Sequence, residues 1–185
     1  MSDKEQILEV YLHEYEKLKE EQAQRIGFRD NMLYVTLGVF GGILSFALSG
    51  KNNNNNYALL VIPWVCLILG WAYLVNDEKI SAIGRYIRYT LVNKIQELTG
   101  NADIESIFGW EIAHRSDKRR FRRKIEQLIV DEITFVLSGI VALLAFWFLV
   151  SQPPLAINIL CIVEFILLIV LAVEIFIYAD LGVGR

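Results

Sequence analysis

The sequence predicts an all-α, polytopic membrane protein with four transmembrane helices and a helical cytoplasmic part, N-in and C-in. Three observations predict it: apolar residues gathered into four runs, two very short connections between paired runs, and a one-sided excess of Lys and Arg. Hydrophobic residues make up 55% of the 185 residues, and the mean hydropathy is +0.41. Soluble domains hold roughly 45–50% apolar residues, so the clustering carries more information than the total. About 80 residues fall in the four runs, leaving too little polar chain for a conventional soluble enzyme domain.

A span requires about 20 predominantly apolar residues. The runs are Met32 to Ser49, Tyr57 to Asn76, Ile133 to Val150 and Leu155 to Tyr178. They delimit a cytoplasmic helix over 1–31, a first hairpin over 32–76, a cytoplasmic segment over 77–132, a second hairpin over 133–178 and a tail over 179–185. About thirty densely charged residues precede the first run. A secretory signal has the opposite order, so that run is expected to be an uncleaved anchor. The connections Gly50 to Asn56 and Ser151 to Pro154 read as tight turns between antiparallel spans.

Orientation follows from the basic residues near span ends. Arg25 and Arg29 precede the first span. Lys79, Arg85, Arg88, Lys94, Arg115 and the cluster Lys118, Arg119, Arg120, Arg122, Arg123 and Lys124 lie between the second and third, whereas the two turns hold only Lys51. Tyr34, Trp71, Tyr73 and Tyr178 are placed as headgroup-level aromatics on the inner side, Tyr57 and Trp147 on the outer.

Outside the spans the chain reads as helical. Ser2 and Glu5 match a capping box, and Ile7, Leu8, Tyr11, Leu12, Tyr15 and Leu18 recur at helical spacing opposite an acidic face. That acidity disfavours an anionic membrane surface, so the stripe is expected to pack on another cytoplasmic helix or to receive a cytoplasmic protein partner. Ile80, Ile83, Ile87, Leu91, Ile95 and Leu98 extend the second span to Thr99, where Gly100 supplies a stop. Asp103, and Ser116 or Asp117, are candidate caps of two further helices.

Glu164 stands near the middle of the fourth span. An ionised carboxylate there costs about 2.5–3.5 kcal/mol on insertion scales, and no span holds Lys, Arg or His to pair with it. It either joins helices as a neutral carboxyl bonded to Ser45, Thr36 or Ser138, or serves an ion or proton path, or faces lipid. Glu174, nearer the inner end, can reach the interface. Gly38, Gly41, Gly42, Ser45 and Ser49 form a small-residue face suited to close helix packing, either within the chain or between copies. Ser138, Gly139, Ala142 and Ala145 form a weaker one. Pro63 predicts a kink in the second span. The basic run 118–124 suits anionic lipid headgroups, with an anionic ligand such as a nucleotide as the alternative. It lacks the context for nucleic-acid binding.

Cys66 and Cys161 are isolated within apolar runs, and His13 and His114 have no nucleophile, phosphate loop or metal partner at a useful spacing. No enzyme, metal or cofactor is expected. The organisation resembles small multi-span bacterial membrane effector proteins of phage-defence loci, in which a compact helical cytoplasmic part accompanies a bundle that forms pores or disrupts the membrane. That resemblance implies a homo-oligomeric channel or membrane-perturbing effector in the bacterial inner membrane, gated by its cytoplasmic helices. A non-conducting scaffold or sensor that recruits a cytoplasmic partner is the other reading.

Overall fold

A computed structural model describes residues 3–49, 53–100, 108–109 and 119–179. Every element among them is helical: α1 (Asp3–Ser49), a 3₁₀ segment (Asn53–Leu60), α2 (Val61–Tyr86), a π turn (Ile87–Leu91), α3 (Val92–Thr99), α4 (Arg120–Asp131), a second π turn (Glu132–Leu137), α5 (Ser138–Leu149) and α6 (Leu155–Tyr178). Four helical stretches are long and apolar enough to cross a membrane: Asp3–Ser49, Asn55–Thr99, Arg120–Leu149 and Leu155–Tyr178. The candidate caps Ser2, Asp103, Ser116 and Asp117 lie outside the described residues.

Two compact units divide the chain. One comprises Met1–Phe28 and Asn76–Arg123, the other Arg29–Val75 and Lys124–Arg185. In the first, the N-terminal half of α1 lies antiparallel to the end of α2 and to α3. Leu8, Tyr11, Tyr15 and Leu18 pack against Ile87, Leu91 and Ile95. Their 3-4 alternation keeps one side of a helix on a single seam. Ile7 and Leu12, expected in that stripe, are exposed, because the seam admits only one narrow row.

Polar contacts extend the pairing. Tyr86 Oη donates to Glu14 Oε1 at 2.7 Å, Gln22 Nε2 donates to the Ile80 carbonyl at 3.2 Å, and Arg25 Nη1 donates to Asn76 Oδ1 at 3.3 Å. The Glu14 bond, with smaller help from desolvation, moves the Tyr86 phenol above its ordinary pKa. Lys94 Nζ lies 5.5 Å from the Tyr11 ring centroid and 6.0 Å from that of Tyr86. Tyr15 stacks on Phe108 with centroids 3.8 Å apart. The seam ends at Gly100, whose φ of 73° is left-handed and whose N–H bonds the Gln96 carbonyl at 3.1 Å. Glycine adopts that conformation without a Cβ penalty, as the stop signal predicts.

The second unit is a bundle with a continuous apolar core. Leu59, Ile62, Phe135, Leu143, Phe146, Leu168 and Leu171 are its largest fully enclosed apolar side chains. Tyr57 meets Phe146 edge-on at 5.4 Å, and Tyr73 meets Phe135 at 5.2 Å. The span of α1 is the least embedded, with only Met32, Thr36 and Ala47 buried.

Three expectations change. The Asn run is not simply a turn, since Asn53–Leu60 winds as 3₁₀ helix and leads directly into α2. Pro63 falls in the first turn of α2, where its missing N–H has no partner within that helix. The irregularity therefore appears as a change of helix type before Pro63. Tyr73, placed among the headgroup-level aromatics, is enclosed at 2% exposure. Tyr34, Trp71, Trp147 and Tyr178 are exposed.

Candidate functional site

Glu164 is the most deeply enclosed charged side chain of the bundle among the described residues. It sits on α6 at 0% exposure, and neither carboxyl oxygen has a hydrogen-bond partner among the described residues. The hydroxyls proposed as partners are directed elsewhere. Thr36 Oγ1 donates to the Met32 carbonyl at 2.8 Å, Ser138 Oγ donates to the Ile133 carbonyl at 3.0 Å, and Ser45 is exposed. A Ser or Thr on a helix readily bonds the carbonyl a turn behind it, which removes it as a cross-helix donor. The Trp64 indole of α2 is close to the carboxyl but falls short of hydrogen-bond geometry. Cys161, one turn away on α6, is an ionisable neighbour. Glu164 thus faces the interior of its own bundle. Glu174, three turns further along α6, is half-buried.

A second polar cluster closes one end of the bundle. Gln127 Nε2 on α4 donates to Tyr73 Oη on α2 at 3.0 Å. The same hydroxyl interacts with the carboxyl of Asp131, which is 5% exposed. The Arg29 guanidinium on α1 lies 5.8 Å from the Tyr73 ring centroid and bonds Asp30 Oδ1 at 2.9 Å. This joins α1, α2 and α4 through hydrogen bonds and a cation–π contact. The sequence reading treated Tyr73 as a belt aromatic and did not single out Gln127 or Asp131. The available signal was Asp131 itself, at the edge of an apolar run and on the same face as Thr134 and Ser138.

Thr134 and Ser138 continue that face inward, at 3% and 9% exposure. Thr134 lies within the second π turn and Ser138 directly follows it. The Thr134 carbonyl accepts a weak bond from Cys66 Sγ at 4.0 Å.

Close helix packing is achieved by two glycines. A Cβ on Gly70 would stand 2.7 Å from Leu171 Cδ2 and 3.3 Å from Phe135 Cβ and Cγ. One on Gly139 would stand 2.8 and 2.9 Å from the Leu168 methyls. Gly139 belongs to the small-residue face read in the third run, whereas Gly70 was not singled out. A Cβ on Gly38, Gly41 or Gly42 would meet nothing within 4 Å among the described residues, so the α1 face packs against none of them.

Of the basic run, Lys118 lies outside the described residues. Arg119, Arg122 and Arg123 are exposed, while Arg120 and Lys124 are half-buried. All four arginines are engaged in interactions. Among the described residues, no group of three or more His, Cys, Asp or Glu is placed to hold a metal ion. No protein-family model matches the chain, and neither does any curated protein or solved structure.

Proposed function

We propose that this is a multi-pass membrane protein, N-in and C-in, whose copies associate into a channel or membrane-perturbing effector of the bacterial inner membrane. The observation carrying this reading is the open face of α1. Gly38, Gly41, Gly42 and Ser45 are exposed on the least embedded of the four candidate spans. In lipid no hydrophobic force drives helices together, and small residues allow the close backbone approach that does. A second copy of α1 is the occupant that fits this groove. Because α1 is one uninterrupted helix from Asp3 to Ser49, a contact at its N-terminal half has a direct covalent route to the span. The likeness to phage-defence effectors would make the assembly an antiviral one. The basic residues of α4 are assigned to anionic headgroups on the inner leaflet.

The test is assembly and conduction together. Gly38→Leu with Gly42→Leu should fill the groove and shift wild-type oligomers toward monomer in native mass measurements, without loss of helicity. The same variant should lose whatever conductance or vesicle leakage the wild type shows. A monomeric wild type, or an unchanged assembly in the double variant, overturns the reading.

Topology has its own expected result. A reporter after Arg185 or near Asn101 should be cytoplasmic, and one within Asn52–Asn56 external, because Lys and Arg near span ends set orientation. An external signal from the segment near Asn101 would reverse the arrangement.

A second reading, a non-conducting scaffold or sensor, draws support from Glu164. An acidic ring around an oligomer axis requires the carboxyl to face outward from each subunit, whereas Glu164 is enclosed by its own chain. In this reading the exposed acidic side of α1, with Glu9, Glu16 and Glu20, receives a basic protein partner.

A further inference from the structure

Buried polarity in the bundle is one-sided. From the end closed by Tyr73 and Asp131, enclosed polar side chains continue through Thr134, Cys66 and Ser138 toward Glu164. Beyond Glu164, toward the Ser151–Pro154 connection, the enclosed residues among those described are Ala47, Leu59, Leu60, Ile62, Phe146 and Val150, apart from the Cys161 thiol. The helix register supports the order. Leu171 packs on Gly70, Leu168 on Gly139, and Trp64 lies beside Glu164. Cys66 and Ser138 are therefore placed about one helical turn from the carboxyl, on the Asp131 side. Enclosed polar groups carry a desolvation cost, and packing alone does not require them on one side only.

From this asymmetry we infer that Glu164 is a proton-binding site served from the Asp131 end of the bundle, with Thr134, Cys66 and Ser138 as the intervening relay. The inference goes beyond the assembly reading and holds for a monomer or an oligomer. Ser138 rests with its hydroxyl proton on the Ile133 carbonyl; its oxygen lone pairs accept a proton, and the hydroxyl rotates off that carbonyl to pass its own proton on. A proton from water at the Asp131 end binds the Glu164 carboxylate to give the neutral acid, and release follows the same route in reverse. The ionisable groups nearest the route are Asp131 and Tyr73 at its mouth, Cys66 along it, and Cys161 beyond it. Arg29, paired with Asp30, lies near the mouth, and Glu174 on α6 and Glu132 on the π turn are only partly enclosed.

The test follows the carboxyl C=O infrared band in the full-length protein in lipid vesicles, with Glu164→Gln identifying the band by its loss. On transfer to D₂O the wild-type band should shift within minutes. Ser138→Ala and Thr134→Val should slow that shift severalfold while helicity and thermal midpoint stay near wild type. Phe146→Leu, on the apolar side, should leave it unchanged. A band that does not shift over hours, or one that shifts equally fast in the two relay variants, overturns the inference. So does acceleration by Phe146→Leu with no slowing in the relay variants, which would place access on the other side. Assembly variants at Gly38 and Gly42 should not alter the exchange, so failure of the assembly reading is separately visible.

Discussion

Leu91→Ala should destabilise the first unit by about 2–5 kcal/mol, the range for truncating an enclosed leucine to alanine. Leu91 is at 0% exposure within the π turn, in a core whose fully enclosed members are Ile87, Leu91 and Ile95. So small a core has few neighbours able to collapse into the cavity, and in the proposed topology it faces water, so the transfer contribution applies in full. Hydrogen exchange should report the loss as faster amide exchange across α1 up to Phe28 and across Ile80–Thr99, with the bundle still protected. Wild-type protection in those segments would show that Tyr11, Tyr15 and the Glu14–Tyr86 bond hold the pair without Leu91.

Gly70→Ala should destabilise the bundle by about 1–3 kcal/mol, the usual result of overpacking a filled core. The new methyl meets Leu171 at 2.7 Å, and Leu171 is itself at 0% exposure, so its methyl has nowhere to rotate. Phe135, the other obstacle, is met at Cβ and Cγ, close to its backbone. Gly41→Ala is the matched control. It meets nothing within 4 Å and should be neutral, or stabilising by up to about 1 kcal/mol through helix propensity. Thermal unfolding in detergent separates the two. A Gly70→Ala protein as stable as Gly41→Ala would mean that α2 and α6 are not in contact at this point.

The two glycines show where a sequence argument meets its limit. Gly38 and Gly42 have the spacing associated with close packing, yet they are open, while Gly70 has no such pattern and lies beneath Leu171. Spacing marks which residues share one face of a helix. It does not say which neighbour, if any, covers that face. Tyr73 illustrates the same limit: its position near a span end suits a headgroup-level aromatic, but the hydroxyl is taken by Gln127 and Asp131 from a helix some fifty residues away. Glu164 was legible as an expensive residue from composition alone. That Ser138 bonds the Ile133 carbonyl and Thr36 the Met32 carbonyl, and so do not reach it, depends on rotamers fixed by packing.

By itself the sequence determined the elements that depend on neighbours along the chain. These are four helices long and apolar enough to span, the Leu8–Leu18 and Ile87–Ile95 stripes, and the stop at Gly100. Helix period, apolar run length and the left-handed freedom of glycine all act over a few residues, so they can be read locally. The tertiary structure decided which faces meet. It enclosed Glu164 in its own bundle, set Asp131, Thr134 and Ser138 in one row, left the α1 glycines open and required glycine at 70 and 139. Those outcomes depend on the relative rotation and register of helices distant in sequence, where the position of one methyl group decides whether two backbones can approach.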